Sequence, residues 1–281
     1  MRGIAIVFGL VACARTAISQ TSPAEAGRSS SGIQDNSFLV EEAYNQEPGV
    51  VQHIQEFIRD FRTGSWNYSF TQEWPVGGVT HQLSYTLAAA RVVRDSGRDA
   101  GFGDTMLNYR YQLVGNGQAL VAVAPRLSLL LPTGSFRRGL GLGGAGLQAE
   151  VPASFVLSDR FVAHGNVGFS WVPRARDPRG ERADLVVPNV GGSVIWQAAS
   201  AWNLLCEAVW SRNGSVVAPS RVEHRDAVVI DPGARFAWNL RGGLQIVGGV
   251  GVPLGFGSGT RTRSVLLYLS FEHPFERVSS Q

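Results

Sequence analysis

The sequence predicts an all-β fold: one transmembrane antiparallel β-barrel of about 12 strands (10–14 fit), with short periplasmic turns and longer extracellular loops. Three observations predict it. From Ala145 to Leu157 every second residue is apolar, while Gln148, Glu150 and Ser154 fall between them. Successive strand side chains point to opposite faces, so this is a strand with one greasy and one mostly polar side. Charged residues make up only 17% of the 281 residues, against the usual share of about 25%. No run reaches the roughly 18 apolar residues of a membrane helix, and a membrane protein without such helices must close as a barrel, because lipid satisfies no backbone group.

The elements follow in chain order. Arg2 and the apolar run Ile4 to Ala14 read as a secretory signal, and Ala17-Ile18-Ser19 is a cleavage site before Gln20. Residues 1–19 are thus a Sec export signal, and the destination is the cell outer membrane. A second cut fits after Ala14, and Leu10-Val11-Ala12-Cys13 resembles a lipoprotein box that would place lipid on Cys13. Residues 20–48 form a periplasmic leader or plug segment. Its first part is rich in Ser, Gly and Ala; Ser37 to Gly49 is too apolar for a free tail and too acidic for a lipid face, so it packs against or inside the barrel mouth.

The barrel is assigned to residues 49–275, with a tail at 276–281. Alternating segments run over 66–75, 80–91, 102–113, 118–131, 144–157, 160–173, 185–197, 202–212, 226–239, 242–254 and 263–275. Short breaks alternate with longer ones at 92–101, 132–143, 174–184, 213–225 and 255–262. Bacterial barrels close with an even strand number, so one more strand is needed before Trp66, and 49–61 is the candidate. Its Val50, Val51, Ile54, Phe57, Ile58 and Phe61 have helical spacing, which leaves a helix as the alternative. The final strand alternates Val265, Leu267, Leu269, Phe271 and resembles the signal read by the barrel-assembly machinery.

The two faces then acquire roles. Trp66, Trp74, Trp171, Trp202, Trp210 and Trp238 fall on the apolar face near strand ends and read as interfacial girdles. On the other face, Glu73, Asp104, Arg110, Arg126, Glu150, Glu207, Asp231 and Arg235 are candidates for lining and selecting in the lumen. Such a set either lines water or forms a paired network that fills the interior. The loops carry Arg94, Arg98, Arg137, Arg138, Arg174, Arg176, Arg179, Arg182, Arg221, Arg225, Arg261 and Arg263, which read either as ordinary solvated loop charge or as contacts to outer-membrane lipid and the phosphates of lipopolysaccharide.

All 25 basic residues are arginine, yet the formal charge is only +3, so no nucleic-acid partner is indicated. Cys13 lies in the signal, which leaves Cys206 alone and excludes an internal disulfide framework. No serine sits in a nucleophile elbow, and no His/Cys spacing suits a metal. Gly139 to Gly144 is glycine-rich but lacks the lysine and strand–helix context of a phosphate loop. Neither an enzyme nor a cofactor is expected.

The blocks Ser37-Phe38-Leu39-Val40-Glu41-Glu42-Ala43-Tyr44-Asn45-Gln46-Glu47-Pro48-Gly49-Val50-Val51-Gln52-His53-Ile54, Phe70-Thr71-Gln72-Glu73-Trp74-Pro75, His81-Gln82-Leu83-Ser84-Tyr85 and Gly103 to Tyr111 carry a family likeness. Over this first third the chain resembles a family of Gram-negative, transporter-like outer-membrane proteins labelled with the meta-pathway of phenol degradation (MetA-pathway type). The resemblance implies a barrel passing small or hydrophobic, including aromatic, compounds, and brings no catalytic or binding residues with it. The expected function is passive passage of small solutes; the alternatives are a non-conducting structural or adhesive barrel and, further off, a lipid-modifying enzyme.

Overall fold

The computed structural model describes residues 33, 37–94, 97–115, 119–240, 244–257 and 260–274. The signal, both cleavage sites, Cys13, most of residues 20–36 and the 276–281 tail lie outside them.

Among the described residues there are fifteen strands: β1 (Val50–Asp60), β2 (Trp66–Val76), β3 (His81–Arg94), β4 (Gly97–Phe102), β5 (Thr105–Tyr111), β6 (Val121–Val123), β7 (Arg126–Leu131), β8 (Gly146–Ser158), β9 (Phe161–Arg176), β10 (Arg182–Ala199), β11 (Trp202–Ala218), β12 (Arg221–Asn239), β13 (Gln245–Gly251), β14 (Leu254–Gly257) and β15 (Thr260–Pro274). All pairings are antiparallel, and β15 returns to β1, with Val50 opposite Pro274 and Asp60 opposite Ser264. The sheet is therefore closed and has no free edge, the condition for a β-structure in lipid. It makes twelve crossings, because three are each broken into two strands, at Gly103-Asp104, Ala124-Pro125 and Val252-Pro253. Proline has no N–H to give the ladder, so two of these breaks fall where the sequence puts one.

Residues 49–61 hold the strand β1, not a helix. Their helical spacing arises because both faces carry apolar groups: Ile54 and Ile58 point inward against an interior cluster with Phe38, while Phe57 points out beside Trp66. A strand with two greasy faces loses its period of two.

The start of β1 and the end of β15 lie at one end of the barrel, here the terminal end; the other is the hairpin end. The turns at the terminal end are short, as expected. The expected long loops at the hairpin end are mostly absent. Segments 174–184 and 213–225 are largely strand: β9 runs to Arg176, β11 to Ala218, and β12 starts at Arg221. Likewise β3 and β4 consume most of 92–101, and β14 and β15 most of 255–262. Among the described residues of the expected long loops, 132–145 alone remains a true loop, with a 3-10 turn at Phe136–Arg138. The overrunning hairpins were hidden because both of their faces are polar, as at Glu223, His224, Arg225 and Asp226.

Trp202 and Trp210 bracket the apolar band on β11. Eight strand steps span about 27 Å, or about 20 Å along the normal at a tilt of 35–45°. Trp202, Phe236 and Trp238 pack in succession on the outside near the terminal end, tilted and then edge-on, with centroids 4.7 and 4.6 Å apart. Trp196, a further exposed tryptophan that the alternation pattern also permits, lies at that end. Cys206 faces outward from the same wall. No described helix is long and apolar enough to cross a membrane; this chain crosses with strands.

Candidate functional site

The interior is occupied by the chain's own amino-terminal segment. Ile33 and Phe38 are buried against Val162, Ile195, Leu205, Ala237, Val247 and Tyr268. Phe38 packs in a tilted pair on Tyr268 at 5.3 Å and fits because its neighbours are glycines: a Cβ on Gly249 would lie 2.6 Å from its ring. Such close approach is what glycine permits. From there the segment crosses the lumen toward β5 and β8, descends toward the terminal end, and joins β1.

Wall side chains hold the plug by its backbone. The Glu207 carboxylate accepts the Phe38 and Leu39 amides on one oxygen, at 3.2 and 2.9 Å, and the Val40 amide on the other, at 3.0 Å. The Ser37 and Ser193 hydroxyls meet at 2.9 Å. Ala43 donates its amide to Ser154 Oγ at 2.7 Å, Asn45 to Gln112 and Gln46 to Gln82. Gln46 also donates to Gln52 through its side chain. Irregular backbone inside a membrane protein must be satisfied by such partners.

Two arginines grip the middle of the crossing. Arg110 gives Nε to Asn45 and its two Nη groups to the Glu42 and Tyr44 carbonyls at 3.2 and 3.1 Å, and lies 3.5 Å from Glu73. Arg126 clasps Glu41 with two nitrogens, at 3.0 and 2.6 Å, and reaches Asn108, Ser128 and Gln148 as well. A guanidinium fork on a carboxylate is the strong, directional form of ion pair. The Asn166 amide, oriented to satisfy both groups, brackets the Glu41 peptide.

The eight lumen candidates therefore divide by side. Glu73, Asp104, Arg110 and Arg126 border open space along the wall from β1 to β7. Glu150 on β8 is registered beside Arg126, whereas Glu207, Asp231 and Arg235 lie on β11 and β12, with Glu207 registered opposite Asp231; Glu73 and Arg110 are buried like these four. Glu150 accepts the Asn189 amide at 2.6 Å. Asp104 binds a loop: its two oxygens take the Gly134 and Leu142 amides at 2.9 and 2.7 Å and draw residues 134–142 inward. Glu41 and Glu56 are lumen carboxylates that alternation did not find, the first because it lies in the plug and the second because β1 hides its period.

Two cavities remain on the open side, and Glu56 borders both. The one nearer the plug, about 260 Å³, is lined by Glu41, Thr71, Glu73, Asn108, Arg110 and Arg126 among others. The one nearer the hairpin end, about 440 Å³, is lined by Ile58, Ala88, Ala90, Val92, Leu140 and Leu142 among others. Small side chains on β3 leave this room. Opposite them, Val172, Ala175 and Leu185 pack with Leu142, Val187 and Val216 and fill the rest of that level.

Ser154 and His164 pair across β8 and β9, Oγ to Nδ1 at 2.8 Å. The serine is wholly buried and its oxygen takes the Ala43 amide, so the pair anchors the plug. Among the described residues no group of three or more His, Cys, Asp or Glu could hold a metal ion.

A closed barrel with an apolar outside, aromatic belts and a polar interior defines a porin-like outer-membrane β-barrel. The chain belongs to the family described as "Putative MetA-pathway of phenol degradation", which matches residues 29–271. Among solved structures it is similar to the NanC porin, with TM-score 0.51 and 8% identity over 78% of this chain and 98% of that one. It also resembles the KdgM porin, TM-score 0.47 and 9% identity over 81% and 99%, and the CymD monoaromatic hydrocarbon channel, TM-score 0.45 and 8% identity over 83% and 90%. At such identity the NanC likeness is one of fold. No curated protein matches the chain.

Proposed function

We propose that the protein is an outer-membrane channel through which small, partly apolar solutes pass passively along the wall from β1 to β7. The single observation behind this reading is the pair of cavities that meet at Glu56, apolar toward the hairpin end and polar toward the plug. A cavity of about 150 Å³ already accepts a benzene ring, so both spaces suit single-ring solutes. The apolar one would take the ring and the polar one a hydroxyl or carboxylate. The chain reaches the outer membrane by Sec export through residues 1–19, with the terminal end in the periplasm and the hairpin end outside. Residues Ser37–Gln46 act as the constriction.

The test is reconstitution of the refolded protein in planar bilayers and proteoliposomes. Discrete current steps are expected, together with faster entry of a single-ring aromatic alcohol than of a hexose. The plug favours a second reading, a non-conducting structural barrel. Silence from folded protein, with and without the plug anchor Glu207, would establish that reading instead.

A further inference from the structure

The outer wall at the barrel's closing seam carries an arginine cluster that the solute pathway does not use. On β15 the side chains of Ser264, Leu266 and Tyr268 are buried inward, so alternation turns Arg261 and Arg263 outward. Arg263 is registered with Leu254 and Arg261 with Phe256. Across the seam, the Phe61 amide donates to the Arg263 carbonyl at 2.9 Å. Arg62 follows in the β1–β2 turn, and these side chains border an outward groove of about 530 Å³.

Three features taken together mark this cluster. None of Arg62, Arg261 and Arg263 makes an ion pair with a described carboxylate, a state that other hairpin-end arginines such as Arg174 and Arg221 share, so the setting carries the distinction. The neighbouring acid, Asp60, is held by the Thr63 amide and hydroxyl. Second, the cluster marks the rim of the apolar band: outward positions below Arg263 on β15 are Val265, Leu267 and Leu269, and Arg59 is registered beside the girdle residue Trp66. Third, Phe61 and Phe256 stand between the arginines 60% and 41% exposed. Uncompensated cations beside lipid call for an anion, and guanidinium forks match phosphate. The continuous apolar wall below suits an anion that carries hydrocarbon chains.

We propose that this groove binds a bisphosphorylated glycolipid of the outer leaflet, its phosphates on Arg62, Arg261 and Arg263 and an acyl chain along Val265 and Leu267. The proposal goes beyond solute passage and shares with it only the placing of the hairpin end outside. The binding test below does not depend on conduction, so either can fail alone.

The refolded full chain in neutral detergent is titrated with bisphosphoryl lipid A and followed by native mass spectrometry. Binding is expected to weaken about tenfold for monophosphoryl lipid A and at least tenfold in the variant carrying Arg62→Gln, Arg261→Gln and Arg263→Gln, with Arg225→Gln unchanged. Should the triple variant fail to fold, Arg261→Gln and Arg263→Gln alone are each expected to weaken binding severalfold. Unaltered binding by these variants, or equal binding of phosphatidylglycerol, would overturn the proposal. So would competition by millimolar inorganic phosphate without any acyl-chain dependence.

Discussion

The Val40 amide donates to the Glu207 carboxylate at 3.0 Å across 167 residues of sequence, fastening the plug to the wall of β11. The same carboxylate takes two more amides. Glu207→Ala strands all three, and removing one partner of a buried charged hydrogen bond costs about 1–3 kcal/mol or more. The variant is expected to unfold at lower denaturant and to conduct more than the parent. Glu207→Gln keeps one acceptor oxygen and should fall between. Unchanged conductance with unchanged stability would show that the plug is held elsewhere.

Arg126→Lys should not be conservative. Lysine is a point charge and cannot reach Glu41 with two parallel donors while serving Asn108, Ser128 and Gln148. Expected is a loss of roughly 1–2 kcal/mol in detergent unfolding, with larger current noise as Glu41 moves.

The seat of Phe38 can be tested by a double-mutant cycle. Gly249→Ala places a methyl 2.6 Å from the ring, an overpacking that costs about 1–3 kcal/mol. Phe38→Ala empties the seat and costs about 3 kcal/mol or more. Together the two should cost less than their sum. Additivity in the unfolding midpoints would place Phe38 elsewhere in solution.

Asp104 clamps the inward loop through the Gly134 and Leu142 amides. Asp104→Ala should free residues 134–142 and expose the bonds after Arg137 and Arg138 to trypsin. Cleavage several times faster than in the parent is the expected result, read by gel in folded protein. Asp104→Asn, which keeps an acceptor, should be cut at an intermediate rate.

Glu56 borders both cavities. Glu56→Arg is expected to shift the reversal potential of an open channel toward anions, since a charge lining the stretch shared by both cavities biases ion preference. A reversal potential equal to the parent's would move the pathway off this wall.

Much of this fold was legible because lipid is an unforgiving solvent. Where strands cross it, as from Ala145 to Leu157, one face must be apolar and the period of two is clean. Where β11 and β12 leave it, water meets both faces and the period vanishes, so 213–225 read as loop. The interior was legible in kind but not in arrangement. Arg110, Arg126, Glu150 and Glu207 were recognisable as inward. That Arg110 grips plug carbonyls and Glu207 plug amides was not, because backbone groups carry no mark in a sequence. Ser37 to Gly49 gave the one clue, being both too greasy and too acidic for any surface.

The way the plug is held has a consequence for how the molecule is made. Neighbouring hairpins such as β8–β9 zip between residues close in sequence, whereas the Phe38–Glu207 bond joins positions 169 apart and the seam sets His53 against Phe271. Contacts that close the longest loops form late. The plug and the seam flank β1, the first strand, and both wait for strands made late, β11 for Glu207 and β15 for the seam. Newly inserted protein is therefore expected to pass through an unplugged stage, its bilayer conducting more at first and settling to the mature channel's level as the segment takes its seat.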